Sequence, residues 1–416
     1  MRSLLLLSSI LSLSIAATTT ANASGYGIKV NSTILQGRAN AGSGVDSDIF
    51  AMYNNPAILS QLGSKYEAAI NGTSILPHVK YNDFLNNNTS TSNVAQSRFT
   101  GGAAFAAKLH PCVTVGLSVT TPFGLAFSYP NTATSPVRNY VVQSDMKAVA
   151  ISPTIAFKVN PMLTLGVGVD AQWTEVKFSS YPTQAFPTML GTAKGNAWVA
   201  RGTFGVLVEP TKDLRLGVSV KTRATSKLKG DFTATNPQPV PAFSGKASAD
   251  LPLPTTISFS ASYNVTPKWT VYGDFIRTNW SAVNAVVLRN PIRDRTLVGD
   301  WKDSNFFSIG TDYKLAEQWT VRGGLGFDKT PTTTTIETPD SPPSRIPGIP
   351  DSNKIWLAIG GSYEVKCVKF SLSYGHEFFK NARIEQNAVP ALGRPALSGQ
   401  VKEHVDLISL QINYKF

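Results

Sequence analysis

The chain has 416 residues, of which only 15% are charged, well below the roughly 25% of ordinary soluble domains. Gly (32) and Pro (26) are plentiful, and the formal net charge of +12 is spread without basic runs, which argues against a nucleic-acid partner. Beyond the first residues no stretch approaches the ~18 consecutive apolar residues of a membrane-spanning helix, so a membrane role would have to rest on strands.

The chain opens with one positive charge, Arg2, then an apolar run from Leu4 to Ala17, then small residues at Ala21-Asn22-Ala23. Residues 1–23 read as a secretory signal peptide, with an apolar run too short to cross a bilayer as a helix. Cleavage would leave Ser24 first. Residues 24–62 do not alternate. They are rich in small residues, Asp46 or Ser47 is placed to cap a short helix through Met52, and Asn55-Pro56 favours a turn. About 40 residues is too long for a linker and too short for a domain. Ile49, Phe50, Met52, Tyr53, Ile58 and Leu62 need burial, and the simplest place is inside whatever the rest of the chain encloses.

Residues 63–416 read as strand after strand. In "VTVGLSV", Val113, Val115, Leu117 and Val119 share one face and Thr114, Gly116 and Ser118 the other; "MLTLGVGVD" and the final "DLISLQINYKF" repeat the pattern. The apolar face recurs on every strand, while the second face is too small and polar to build a core. Fourteen strands are expected, at 66–76, 98–109, 113–121, 145–159, 162–176, 195–208, 213–226, 254–265, 268–280, 303–315, 318–329, 353–366, 367–380 and 402–416. Six short turns alternate with seven long connections, the pattern of a bacterial outer-membrane barrel with short periplasmic turns and long outer loops. Trp173, Trp198, Trp269, Trp280, Trp319 and Trp356 lie toward strand ends, as interfacial girdles require. The fold class is therefore all-β, an antiparallel transmembrane β-barrel of fourteen strands with residues 24–62 plugging its lumen. Closure leaves no sheet edge in lipid.

Parity places Lys158, Arg201 and Arg322 on the lumenal face. They would serve as cations for an anionic ligand or as partners of plug carboxylates such as Asp46 or Asp48. After strand three, Phe123, Leu125, Phe127 and Tyr129 form an apolar set expected to be exposed as a capture surface. Cys112 and Cys367 fall in short turns far apart and are expected as free thiols. The four histidines, His78, His110, His376 and His404, lack metal-ligand spacing. His78 and His376 lie near the outer rim without an evident Ser and Asp set, so an enzyme, a metal site and a cofactor are not expected.

At "YNNPA" the chain resembles the long-chain fatty-acid transporter family of the Gram-negative outer membrane (FadL-type), which includes aromatic hydrocarbon transporters. The resemblance rests on Asn55-Pro56-Ala57 before the first strand, "TPFG" at 121–124, "FIRTNWSAV" and "SRIPGIPDSNKIWLAIGGSY" at 344–363, and it covers the mature chain. It implies passive uptake of hydrophobic compounds, most readily long-chain fatty acids. It also implies an N-terminal hatch carrying Asn55, Pro56 and Ala57, and a ligand pocket near the mature N-terminus, where Tyr26 takes the family's aromatic position. Lateral release would run through a strand-three kink at Pro122 and Gly124, which reads equally as an ordinary strand end. Ligand contacts would fall to Tyr26, Lys158, Arg201, Arg322, Phe123 and Phe127. Outer-membrane lipid and lipopolysaccharide would surround a monomer. Aromatic hydrocarbon uptake, an aqueous porin, an outer-membrane enzyme and an adhesion barrel are the alternatives.

Overall fold

A computed structural model describes residues 25–86, 89–130, 135, 137–181, 188–235, 243–336, 338, 341–390 and 394–416. The leader and its cleavage site lie outside the described residues.

The barrel strands are β1 (Tyr66–Asp83), β2 (Arg98–His110), β3 (Val113–Thr120), β4 (Gln143–Asn160), β5 (Leu163–Ser180), β6 (Leu190–Val208), β7 (Leu214–Lys221), β8 (Thr256–Thr266), β9 (Trp269–Thr278), β10 (Ser304–Lys314), β11 (Trp319–Asp328), β12 (Lys354–Val365), β13 (Val368–Phe379) and β14 (Leu397–Lys415). Each pairs antiparallel with its chain neighbours, and β1 closes on β14 with Ile70 opposite Ile412 and Thr73 opposite Ser409. The molecule is thus a closed antiparallel barrel of fourteen strands. Alternation has the expected consequence. On β14, Ile408, Leu410, Ile412 and Tyr414 face outward and exposed, while Ser409, Gln411 and Asn413 face inward and are buried. Phe416 stacks with Tyr66 at the closing seam, ring centroids 5.5 Å apart, where the apolar face meets the periplasmic interface.

Several connections carry more strand than alternation predicted. Ala224–Thr235 and Phe243–Leu253 extend β7 and β8 upward as a paired hairpin beyond breaks at 222–223 and 254–255, and Ala285–Arg289 pairs with Arg295–Gly299. Two girdle assignments are corrected. Trp198, Trp269 and Trp319 are exposed on the outer face, but Trp280 and Trp356 are both 1% exposed inside the molecule. Trp280 follows β9 on a turn of 3₁₀ helix, and Trp356 takes the lumenal parity of β12. Cys112 and Cys367 sit in periplasmic turns as free thiols.

The lumenal wall of Ser, Thr, Asn, Gln and Asp does not pack on itself. It hydrogen-bonds residues 25–62, which lie buried against it. Asp274 accepts from the backbone N–H groups of Gly42 and Ser43, each at 2.9 Å, Ser260 Oγ accepts from Gly44, and Gln411 accepts from Thr33. Above this segment, on the loop side, a second apolar cluster joins Tyr26, Tyr81, Phe127, Tyr129, Tyr140 and Trp301. The capture surface expected after strand three is therefore corrected. Phe123, Leu125, Phe127 and Tyr129 are all below 8% exposed, because Gly124–Ser128 pairs with β4 and turns these side chains under the loops.

Candidate functional site

The segment inside the barrel is held in two places. Its body docks through Asn55-Pro56-Ala57. Asn55 caps the 3₁₀ helix Pro56–Gln61, its Oδ1 accepting from Ala57 N at 3.0 Å, and Pro56 takes the first helical position, where no N–H is needed. The same Asn55 side chain donates to Gly44 O at 2.8 Å and to Val206 O of β6 at 3.1 Å. One residue therefore caps a helix, braces the segment and ties it to the wall. Close approach requires glycine opposite. A Cβ on Gly205 would lie 1.9 Å from Asn55 Oδ1, and one on Gly166 would lie 2.3 Å from Ala57 N.

A buried charge network fixes the body from the other side. Arg38, fully buried, donates to Asp46 at 2.5 Å, lies 3.5 Å from Asp312 of β10 and covers the Tyr272 ring at 3.8 Å. Burial disfavours its charge, but Asp312 and Asp46 outweigh that and hold the guanidinium above its ordinary value. Asp46 is likewise held below the usual carboxylate range: burial opposes ionisation, but Arg38 prevails. Asp48 takes no arginine; it accepts from Ser32 at 2.5 Å and Gln411 at 2.7 Å.

The second attachment is the tip, Tyr26–Ile28. Strand β3 stops at Thr120 and resumes at Gly124, and the intervening residues leave the β2 edge. Their backbone groups turn to the tip instead. Ile28 N donates to Pro122 O at 2.8 Å, Gly124 N donates to Tyr26 O at 3.1 Å, and Gly27 bridges Phe123. Pro122 thus lies within a three-residue break in the strand, and Gly124 is where the strand resumes. Across it the hydroxyls of Thr100 and Thr121 meet, and Arg98 of β2 pairs with Asp145 of β4 at 3.0 Å.

Beside the tip lies a cavity of about 120 Å³, lined among others by Lys29, Tyr53, Phe123, Arg201, Lys221 and Trp280. Tyr26 packs edge-on against Trp280 at 4.8 Å and against Phe123 at 5.7 Å, and its hydroxyl donates to Pro252 O. Burial keeps its phenol protonated, far above the ordinary range, against the pull of Arg201. Arg201 donates from Nε to Thr222 O at 3.0 Å and from Nη2 to Pro254 O at 2.7 Å, the carbonyls freed where the walls above β7 and β8 break. It is 3% exposed and has no carboxylate within ion-pair distance among the described residues.

Of the residues expected from the sequence, Tyr26, Phe123, Pro122 and Arg201 come together here. Phe127 belongs to the apolar cluster above, and Gly124 bonds the tip without lining the cavity. Lys158 takes lumenal parity but stands at the periplasmic end of β4, two residues from the turn. Arg322 serves the plug's seat, donating to Ser362 Oγ at 2.7 Å and lying 3.5 Å from Asp312. Sequence reading missed Lys221 and Lys29. Lys221 pairs with Asp170 at 2.6 Å and sits 3.4 Å over Tyr53, and Lys29 pairs with Asp328 at 2.8 Å. Parity along β7 puts Lys221 on the lumenal face, but nothing local marks it as a cavity residue.

A closed barrel with a buried segment across its lumen, and a pocket beside a break in its wall, defines an outer-membrane transport barrel. The family model for outer membrane transport proteins (OMPP1/FadL/TodX) matches residues 14–416, and the chain belongs to that family. A putative outer membrane protein of Neisseria meningitidis is 25% identical over 460 residues, covering 96% of each chain. The long-chain fatty acid transport protein of Escherichia coli K12 is 22% identical over 390 residues, covering 82% of this chain and 85% of that one. A Pseudomonas aeruginosa FadL homologue superposes with TM-score 0.84 at 21% identity, covering 94% of this chain and all of that one. The P. putida toluene transporter TodX superposes with TM-score 0.72 at 16% identity, covering 95% and 99%. The two superpositions establish the fold, and the protein is placed in the bacterial outer membrane.

Proposed function

We propose that this barrel takes up hydrophobic compounds passively, with long-chain fatty acids as the preferred cargo, and that residues 24–62 act as its hatch. The observation that carries the choice of cargo is Arg201, a buried guanidinium bonded only to neutral carbonyls at the edge of an aromatic-lined cavity. Asp170, directly across from it on β5, is engaged by Lys221 at 2.6 Å. A buried cation without a bonded anion is costly, and a fatty-acid carboxylate would supply one. The acyl chain would lie against Phe123, Trp280 and Tyr26, each buried CH₂ contributing about 0.8 kcal/mol.

At about 120 Å³ the resting cavity is smaller than the ~300 Å³ or more of an ordinary ligand pocket. An acyl chain would therefore have to displace the Tyr26–Ile28 tip, and the tip's bonds to Pro122 and Gly124 are the ones it would break. Ligand loading would in this way free the gap in the wall and release cargo sideways into the bilayer, by population shift. The name of the toluene transporter among the structural relatives favours a second reading, in which the cargo is an aromatic hydrocarbon and Arg201 is purely a brace.

Binding of radiolabelled oleate to detergent-purified protein, with toluene as competitor, tests both. Saturable oleate binding, lost when residues 24–57 are deleted, supports the fatty-acid reading. Toluene binding without oleate binding moves the cargo to aromatic hydrocarbons, and binding of neither defeats transport in both forms.

A further inference from the structure

The outer face of the closing seam carries a feature that uptake does not use. The lipid-facing side of β1, β14 and β13 carries Ile70, Leu76, Ile408, Leu410, Ile412 and Leu372, with Ser74 its polar exception. Above it comes a row of basic side chains, with Phe378 opposite His404 at its β13 end. His78 stands directly opposite His404, and Lys80 directly opposite Lys402. The rings of His78 and His404 stack at 5.0 Å and 4°, and His376 continues the stack at 5.6 Å from His404. His78, His404, Lys80 and Lys402 are exposed, and neither lysine is ion-paired among the described residues.

Like charges placed directly across a strand pair destabilise the sheet unless something anionic lies between them. Asp406, the acid on the same face, is already taken by Tyr374 Oη at 2.6 Å and His376 Nδ1 at 2.7 Å. Elsewhere on the loop-side strands several outward charges are matched in pairs. Lys194 pairs with Glu175 at 3.2 Å, Lys246 with Asp231 at 2.8 Å and Arg289 with Asp250 at 3.1 Å. The seam row lacks such matching.

Height identifies the counter-ion. Tyr66 marks the periplasmic aromatic edge, and His78 is twelve residues further along β1. At about 3.3 Å per residue and a tilt of about 40°, the row stands roughly 30 Å above that edge, just past an apolar band about 25 Å tall. That is the headgroup level of the outer leaflet. We propose that His78, His404, His376, Lys80 and Lys402 form a seat for the phosphates of a phosphorylated glycolipid of the outer leaflet, lipopolysaccharide, with its acyl chains along Leu76, Ile408 and Leu372. The lysines supply charge, and the imidazoles supply N–H donors in either protonation state.

Native mass spectrometry of the full barrel with bis-phosphorylated lipid A is the test. Folding is checked by heat-modifiable gel mobility, and Lys229→Ser serves as the control elsewhere on the surface. Wild-type protein and Lys80→Arg/Lys402→Arg should each retain one lipid A. Lys80→Ser/Lys402→Ser combined with His78→Gln/His404→Gln should retain at least fivefold less, and dephosphorylated lipid A should bind wild type as weakly. Equal retention by wild type and the quadruple variant would overturn the seat. Complete displacement by millimolar inorganic phosphate would overturn its assignment to a lipid.

Discussion

The body and the tip of the segment inside the barrel are built from one short stretch of chain, yet they are held by different physics. The body is fixed by groups that tolerate no alternative: a buried Arg38–Asp46–Asp312 cluster, and an asparagine seated on glycines that leave no room for a methyl group. The tip is fixed by backbone hydrogen bonds to an interrupted strand and by aromatic contacts that any apolar guest can replace. Buried charge and close backbone approach hold the body in one state. Exchangeable apolar contacts and hydrogen bonds of about 1 kcal/mol each would let the tip be displaced by ligand, as proposed.

The strongest way to break that contrast is to remove Arg38. Arg38→Ala leaves Asp46 and Asp312 without their buried partner and should weaken docking of the body by about 3–5 kcal/mol, read as faster hydrogen exchange across residues 33–62. Retained protection would mean that the charges are incidental to docking. Gly205→Val comes next. Its first added carbon meets Asn55 Oδ1, so the Asn55-Pro56-Ala57 turn should leave its seat and single-channel ion conductance should rise from near zero. Asn55→Ala removes a cap and two further bonds and should cost about 2 kcal/mol, with a smaller gain in conductance.

The smallest effect sharpens the view of the tip. Gly25 N donates to Asp351 at 3.2 Å. Burial, against the hydrogen bonds from Thr330 and Gly25, lifts this carboxyl to about 6. A folded-state value above the unfolded one means that the native state holds the proton more tightly. Its contribution to stability is complete below about pH 4 and is lost as pH rises through about 6. Protease access to the N-terminal residues should therefore increase a fewfold from pH 5 to pH 7.5, and Asp351→Asn should flatten that profile.

Much of this was legible in the chain, because period-two alternation is forced wherever one strand face meets lipid and the other a polar lumen. That logic located β1 to β14 and the lumenal parity of Arg201 and Arg322. Asn55-Pro56 was visible as a turn, and its resemblance placed it in the hatch. What remained hidden depends on contacts distant in the chain. Phe123 and Phe127 read as exposed because nothing local shows that loops fold over them. Trp356 read as a girdle residue because its position near a strand end outweighed its inward parity. Lys158 has the right parity at the wrong height, and alternation carries no information about height. The cavity joins the N-terminal tip to β6, β7 and the end of β9, and no short stretch of sequence records that meeting.

The tip pocket is proposed to receive an anionic head on Arg201. The direct measurement is the oleate dissociation constant of wild type, Arg201→Lys and Arg201→Gln, each shown to keep its body protected from hydrogen exchange. A buried charge-assisted contact predicts at least tenfold weaker binding for Arg201→Gln, with Arg201→Lys in between. Equal affinity for wild type and Arg201→Gln would show that Arg201 only braces the broken wall, and would contradict the account.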